Sequence, residues 1–292
     1  MTMNKRPRIA VFAYSEVGSI CLEQLLKNGA NVVVVFTHEN DPHEEIWFRS
    51  VKEIAEAAGI PVRTPAKLDE NEIGELRKTA PELILSFYYR AMIPKEALDM
   101  PRLGAYNIHG ALLPKYRGRA CVNWAVINGE TETGATLHAM TEFADRGDII
   151  AQKSVPILFG DTAHDVFLKV AEASRDILVS SLDSLESGTA KGTPQDETKA
   201  TKFGRRRPED GEINWSKPAI DIYNLIRAVT HPFPGAFTHW NNRKVYIWKA
   251  LPAEGSADPG QIVSSRPMLV GTGCGLLRIL AMQPEGEPER NV

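Results

Sequence analysis

The first two thirds of the chain alternate short apolar runs with amphipathic segments, and this alternation most constrains the fold. Residues 8–13, 31–37 and 82–87 are rich in Val, Ile, Leu and Phe. The run at 31–37 does not alternate apolar with polar residues, which is typical of a strand covered on both faces. Strand, helix, strand order favours right-handed parallel crossovers. We therefore predict a doubly wound, mostly parallel α/β sheet of the nucleotide-binding type, with helices at 19–28, 51–58, 71–78 and 162–185.

The character of the sequence changes after residue 188. Residues 188–211 are rich in Gly, Thr, Lys and Asp without a hydrophobic period, which indicates a linker. A helix is predicted at 219–229, and the short apolar runs after it, separated by Gly, Asn and Pro, are typical of the antiparallel strands of a small β-barrel, here OB-like. The predicted organisation is a catalytic domain at 1–188, a linker at 189–210, a barrel-like domain at 211–283 and a flexible tail at 284–292.

Charge and composition exclude several classes of partner. The 34 Lys and Arg against 37 Asp and Glu give a net charge of −3, so no global attraction draws the chain to nucleic acid or to an anionic membrane. No apolar run approaches the ~18 residues of a membrane span, and residues 1–7 lead into no signal-peptide core. The 3 cysteines, Cys21, Cys121 and Cys274, lie too far apart for a metal knuckle. We expect a cytoplasmic protein without a metal site.

The densest group of reactive side chains begins at the end of a predicted strand. Asn107 and His109 differ by two positions, so a strand at 105–109 directs both to the same face. An amide there can stabilise an oxyanion while the imidazole transfers a proton. Asp145 and Asp148, on a turn before a further apolar run, supply carboxylates that can orient a histidine. Taken alone, each residue also fits a structural role, as a hydrogen-bonded core histidine or as a turn former.

Three motifs in this order resemble the signature of the folate-dependent formyltransferases: Asn107-Ile108-His109, Leu112-Leu113-Pro114 with Arg117-Gly118, and Asp145-x-Gly147-x-Ile149. The resemblance covers nearly the whole chain and implies a Rossmann-like catalytic domain that transfers a formyl group from 10-formyltetrahydrofolate to an amine. It implies that Asn107 stabilises the oxyanion, that His109 transfers the proton, and that Asp145 tunes His109 and relays protons through water. The folate contacts that it implies are Ala91, Met92, Ile93, Arg119, Thr141, Glu142, Phe143, Ala144 and Asp145.

Two residues depart from the pattern of that family. Ala111 stands where the family usually has Ser, and Cys121 stands where it usually has Pro. Ala111 removes a hydroxyl from the active-site loop, so the hydrogen bonding of that loop must differ in detail. Cys121 restores a backbone N–H, and we expect its thiol to be buried as a small apolar side chain.

The choice of acceptor amine depends on finer likenesses. Residues 113–119 and 203–206, among others, are similar to the formyltransferase part of the bifunctional enzyme that acts on UDP-4-amino-4-deoxy-L-arabinose in lipid A modification. Methionyl-tRNA formyltransferases have a basic loop after the second strand, whereas residues 38–45 here, the acidic loop, contain four carboxylates and no Lys or Arg. Such a loop opposes contact with a phosphate backbone, which disfavours tRNA.

We therefore predict an aminosugar nucleotide as the partner, with UDP-4-amino-4-deoxy-L-arabinose as the best single candidate. Three alternatives stay open: a methionyl-tRNA formyltransferase, an enzyme for another dTDP- or UDP-linked aminosugar, and a non-catalytic binding protein. The last conflicts with the joint presence of Asn107, His109 and Asp145. The sequence carries no signal for an oligomeric state.

Overall fold

The structure, a computed structural model, describes residues 6–42 and 44–292. Residues 1–5, part of the argument on a signal peptide, and residue 43 of the acidic loop lie outside the described residues. The chain forms two compact units. The first contains the chain up to Gly118 with Thr133–Val155 and Leu168–Lys202; the second contains Arg119–Glu132, Pro156–Phe167 and Phe203–Val292.

A seven-stranded sheet organises the first unit, in the order β3-β2-β1-β4-β5-β7-β8. Its first five strands pair in parallel, and β7 pairs antiparallel with β5. The predicted mostly parallel sheet is confirmed. The strands up to β8 are β1 Arg8–Ala13, β2 Asn31–Phe36, β3 Val62–Arg63, β4 Leu83–Phe87, β5 Ala105–His109, β6 Arg117–Gly118, β7 Glu132–Ala139 and β8 Ile149–Pro156.

Side-chain caps fix the start of two helices that the sequence predicts. Ser50 accepts a hydrogen bond from Glu53 N, and Asp69 accepts one from Glu72 N. None of the helices within the described ranges is long and apolar enough to cross a membrane. The helices are α1 Ser15–Lys27, α2 Val51–Ala57, α3 Glu70–Lys78, α4 Lys95–Leu98, α5 Cys121–Ile127, α6 Ala163–Ser187 and α7 Ala219–Val229.

The first helix begins four residues earlier than predicted. The predicted helix at 19–28 leaves Gly18 outside, whereas Gly18 lies inside α1. A Cβ at this position would lie 3.1 Å from the Ala13 Cβ and 3.1 Å from a methyl carbon of Val51. The glycine therefore serves close packing of the helix start, which a sequence pattern does not distinguish from a turn.

Antiparallel strands dominate the second unit, as predicted. The sheet has the order β10-β11-β14-β13-β12, and β15 pairs with β14. Where the sequence predicts a flexible tail at 284–292, Arg290–Asn291 instead continues the sheet, and Val292 N donates to Leu280 O at 3.1 Å. The remaining strands are β9 Lys202–Phe203, β10 Ala236–Trp240, β11 Arg243–Ala253, β12 Ile262–Ser265, β13 Met268–Gly271, β14 Leu276–Pro284 and β15 Arg290–Asn291.

The segment that the sequence predicts as a linker is partly ordered against the first unit. Thr193 exchanges two backbone hydrogen bonds with Ile149, at 2.8 and 2.9 Å. Short 3-10 turns follow at Glu197–Lys199 and Pro208–Gly211. The first unit extends to Lys202. The segment lacks apolar periodicity because polar side chains and backbone groups make its contacts.

Candidate active site

Strand β5 places Asn107 and His109 at the carboxyl end of the parallel part of the sheet, where such sheets bind ligands. The neighbouring strand β7 sets His138 opposite Asn107 and Thr136 opposite His109. His109 is buried, and its Nε2 lies 2.8 Å from Tyr116 O. Because a carbonyl oxygen only accepts, Nε2 carries a hydrogen, and Nδ1 is the nitrogen that faces Asp145.

Asp145 faces both histidines from the loop between β7 and β8. Its Oδ1 lies 3.6 Å from His109 Nδ1 and 3.8 Å from His138 Nε2. Its Oδ2 accepts a hydrogen bond from Gly118 N at 2.8 Å. Asp145 adopts a left-handed backbone conformation with φ of 59°, which aspartate tolerates better than most residues and which is common at functional sites. Asn107, His109 and Asp145, all predicted as site residues, thus lie in one network that His138 completes.

His138 orients the amide of Asn107. Its Nδ1 donates to Ala139 O at 2.8 Å, so Nε2 is the acceptor for the Asn107 amide nitrogen at 3.1 Å. Burial lowers the pKa of His138 to about 4, against the raising effect of Asp145, and keeps the ring neutral at neutral pH. The Asn107 amide nitrogen carries a second hydrogen, which a substrate oxygen can accept.

The loop that carries Asp145 closes on a glycine. Ala139 N donates to Asp148 O at 2.9 Å, which ties the two ends of the loop together. A Cβ at Gly147 would lie 1.8 Å from Ala139 O, so only glycine fits this close approach of two backbones.

Both departures from the family pattern are buried. Ala111 is fully buried, and Thr136 Oγ1 donates to Ala111 O at 2.6 Å. Thr136 Oγ1 also accepts from Leu113 N at 3.1 Å, and Gln152 Nε2 donates to Leu113 O at 2.8 Å. The 111–113 backbone is thus held from its neighbours without a hydroxyl at position 111. Cys121 is buried at the start of α5, as expected.

A cavity of about 490 Å³ lies beside Asp145 in the first unit. Of the predicted folate contacts, Glu142, Phe143, Ala144 and Asp145 line it; within the described chain, its lining does not include 91–93 or Thr141. Met92 and Phe143 are large apolar side chains with exposed fractions of 60% and 59%, whereas Ile93 is buried. Arg119 belongs to the second unit.

Two residues in this network were missed from the sequence. His138 lies on β7, a strand that was not predicted, and Gln195 lies in the predicted linker. Gln195 Nε2 donates to Asp145 O at 2.9 Å and to Gly147 O at 2.8 Å. No sequence signal marked His138, because residues 133–138 show no alternation of buried and exposed positions; its pairing with Asn107 is seen only in the register of β5 and β7. No group of three or more His, Cys, Asp or Glu suited to a metal ion occurs within 6–42 and 44–292.

This arrangement suits attack of a neutral nucleophile on a carbonyl. The amide donor of Asn107 can meet an oxygen that gains negative charge, and a buried imidazole backed by a carboxylate can accept and return a proton. The exposed apolar side chains of Met92 and Phe143 offer contact area for a flat, partly apolar ligand.

Comparison with known protein families gives two matches along the chain. A family model described as formyl transferase matches residues 7–182. A second, described as the formyl transferase C-terminal domain, matches residues 205–292. Together these two segments contain every predicted catalytic residue and most of the antiparallel second unit.

Solved structures share the fold at low sequence identity. An N-formyltransferase from Helicobacter canadensis, in complex with folinic acid and dTDP-3-aminofucose, has a TM-score of 0.74 and 22% identity, covering 93% of this chain and 97% of that one. WlaRD, a sugar 3N-formyl transferase with dTDP and 5-N-formyl-THF, has a TM-score of 0.73 and 22% identity over 98% of this chain and 100% of that one. HypX from Aquifex aeolicus with tetrahydrofolic acid has a TM-score of 0.68 and 20% identity; the match covers 98% of this chain but only 46% of HypX.

Proposed function

Since the chain belongs to the formyl transferase family, we propose that it transfers the formyl group of 10-formyltetrahydrofolate to the amine of a nucleotide-linked aminosugar in the cytoplasm, with UDP-4-amino-4-deoxy-L-arabinose as the preferred acceptor. The observation that carries the proposal is the network of Asn107, His109 and Asp145 at the carboxyl end of β5.

The proposed reaction exchanges one C–N bond for another. The neutral amine of the sugar attacks the formyl carbon, and the Asn107 amide hydrogen stabilises the negative charge that develops on the formyl oxygen. His109 Nδ1 takes the proton that the amine nitrogen loses, and Asp145 stabilises the resulting imidazolium. The bond from the formyl carbon to N10 of the folate then breaks, and N10 receives that proton.

Burial of the network supports this assignment of roles. His109 and His138 are both buried, and only a small part of the Asp145 side chain reaches solvent. Exclusion of water strengthens the interactions of these groups with developing charge. Because His138 is neutral, it orients the amide of Asn107 without adding a positive charge that would compete for Asp145.

The folate site in this proposal includes the predicted residues of the first unit. Met92 and Phe143 provide apolar surface, and residues 142–145 line the cavity beside the catalytic groups. The relatives solved with folinic acid, 5-N-formyl-THF and tetrahydrofolic acid support a folate as the donor. Arg119, in the second unit, stays a predicted contact.

The acidic loop supports an acceptor other than tRNA. Glu44 forms an ion pair with Arg90 at 2.7 Å, so the charge of this cation is already neutralised. Glu39 pairs with Lys52 at 3.0 Å in the same way. A dTDP-linked aminosugar is the second candidate acceptor, because two relatives of the same fold were solved with dTDP-3-aminofucose or with dTDP.

The test is an acceptor panel with 10-formyltetrahydrofolate as the donor. UDP-4-amino-4-deoxy-L-arabinose, dTDP-3-aminofucose and methionyl initiator tRNA are incubated separately, and mass spectrometry detects the gain of one formyl group. We expect formylation of the UDP sugar with the highest kcat/KM. Formylation of the dTDP sugar alone would show that the preferred acceptor is a dTDP-linked and not a UDP-linked aminosugar. Formylation of the tRNA alone would overturn the proposal that the acceptor is an aminosugar nucleotide.

A further inference from the structure

Residues 195–201 bind the loop that carries the hydrogen-bond partner of His109. Thr201 Oγ1 accepts from Tyr116 N at 2.8 Å, and Thr201 O accepts from Arg117 N at 2.9 Å. Thr201 N donates to Pro114 O at 3.3 Å. Tyr116, whose φ is 58°, is thereby fixed with its carbonyl oxygen toward His109 Nε2.

Gln195 binds the other loop of the site, the one that carries Asp145. Its two amide hydrogens go to Asp145 O at 2.9 Å and to Gly147 O at 2.8 Å. One of these carbonyl oxygens belongs to Asp145 itself, whose left-handed backbone directs its carboxylate at His109, and the other lies two residues later. A side chain that donates to both of them restricts the backbone dihedrals of a conformation that is costly for a residue with a Cβ.

Arg117 fixes the remaining end of the Gln195 amide. Gln195 Oε1 accepts from Arg117 Nη2 at 2.7 Å and from Arg117 Nε at 3.2 Å. Only 5% of the Arg117 side chain is exposed, and Glu197 forms two hydrogen bonds with its guanidinium, at 2.9 and 2.6 Å. The buried charge is thus compensated, and Gln195 is held with its oxygen toward Arg117 and its nitrogen toward the Asp145 loop.

We infer that Gln195 is a positioning residue of the active site, which holds Asp145 in the geometry that His109 requires. The expected effect of Gln195 on kcat rests on the proposed function, whereas its effect on the position of Asp145 does not. Only an amide fits all four contacts, because they require two donor hydrogens and one acceptor oxygen on a single planar group. Glutamate at position 195 would keep the acceptor for Arg117 but would place its second oxygen against Asp145 O and Gly147 O. Methionine would keep the length of the side chain and remove all of its hydrogen bonds.

The test compares Gln195→Glu and Gln195→Met with Gln24→Glu and Gln24→Met in the 292-residue chain. The Gln24 side chain makes one exposed hydrogen bond, to Asn28 at the C-terminal cap of α1, and serves as the matched control. Urea unfolding establishes that each variant folds. We expect both Gln195 variants to lower kcat by up to about a hundredfold with little change in KM for the folate, because an error of ~1 Å in a catalytic group has this effect. The Gln24 variants should match the wild type.

A measurement without substrate separates this inference from the proposed function. In carbon-detected NMR spectra of the imidazole groups, we expect the His109 and His138 signals to move in both Gln195 variants, while those of His231 and His239, in the second unit, stay in place. Unchanged His109 and His138 signals would overturn the positioning role even if the wild type formylates sugars. A Gln195→Glu variant with wild-type kcat would also overturn it, since Arg117 would then be the only partner that matters.

Discussion

At the scale of single residues, one ring nitrogen of His109 is hydrogen-bonded and the other faces a carboxylate. Tyr116 O fixes Nε2 at 2.8 Å, and Asp145 Oδ1 lies 3.6 Å from Nδ1. We predict that His109→Ala lowers turnover by a factor on the order of 10²–10⁴, the usual contribution of a general acid-base group. Initial rates at saturating substrates measure this loss. His239→Ala, at an exposed histidine of the second unit, should keep wild-type turnover, and equal activity in both variants would exclude His109 from the reaction.

Two histidines, His38 and His138, also link stability to pH. Burial lowers the pKa of His138 from its ordinary 6.5 to about 4, and burial with the nearby Arg90 lowers that of His38 to about 4. Between pH 4 and pH 6.5, these two histidines bind more protons in the unfolded chain than in the folded one. Their contribution to the free energy of unfolding is therefore highest above pH 6.5 and falls as the pH is lowered toward 4. Each linked proton contributes up to about 1.4 kcal/mol per pH unit.

Urea unfolding between pH 4.5 and 7.5 measures this linkage. We expect His138→Gln, which retains an acceptor for Asn107 but does not titrate, to show a shallower dependence on pH than the wild type. Parallel curves for the two proteins would mean that His138 takes up its proton at the same pH in the folded and unfolded states.

Strand geometry sets Asn107 and His109 on one face, but their catalytic roles came from the resemblance to the formyltransferases. The residues alone left Asp145 and Asp148 as candidate carboxylates, and the resemblance selected Asp145. Sequence reasoning missed His138, since residues 133–138 of β7 are buried on both faces and show no alternation. It also missed Gln195, because a polar residue that binds backbone carbonyls leaves no apolar pattern.

At the scale of elements, the loop between β7 and β8 can close only because Gly147 has no Cβ. We predict that Gly147→Ala lowers the free energy of unfolding by about 1–3 kcal/mol, the usual effect of overpacking, because its Cβ would lie 1.8 Å from Ala139 O. The same change displaces Asp145 and lowers kcat. Urea unfolding and initial rates measure the two effects.

Gly74 in α3 provides the matched control for that substitution. A Cβ there meets no atom within 4 Å. Gly74→Ala should raise the free energy of unfolding by about 0.5–1 kcal/mol, because alanine loses less backbone entropy in a helix. A Gly147→Ala variant as stable as Gly74→Ala would show that the loop can shift without cost.

Elements with local signals were predictable, and those fixed by distant contacts were not. Helix α7 lies at the predicted 219–229, and α2 and α3 begin beside the capping residues Ser50 and Asp69. The ordering of 193–202 has no local signal, because it depends on Ile149, Asp145 and Arg117, far away in sequence.

At the scale of the whole molecule, the predicted boundary at residue 188 separates the motif residues from Gln195 and Thr201. We predict that a truncated chain ending at Lys202 binds a formyltetrahydrofolate analogue, whereas one ending at Ser187 binds it at least about tenfold more weakly, since it lacks the cavity-lining residues Glu197, Ala200, Thr201 and Lys202. Isothermal titration of folded, soluble forms measures both affinities. Equal affinities would place the whole folate site within residues 1–187.

The contacts between residues 195–201 and the site also set an order of events in the cell. The ribosome adds these residues 78 to 85 positions after Tyr116 and Arg117, the groups that they hold. At ~5–20 residues per second, this interval lasts roughly 4–17 s. For the last 50 positions before Gln195 is added, the nascent chain contains both His109 and Asp145 but not yet Gln195 and Thr201. The last segment of the first unit to be synthesised is therefore the one that completes the site.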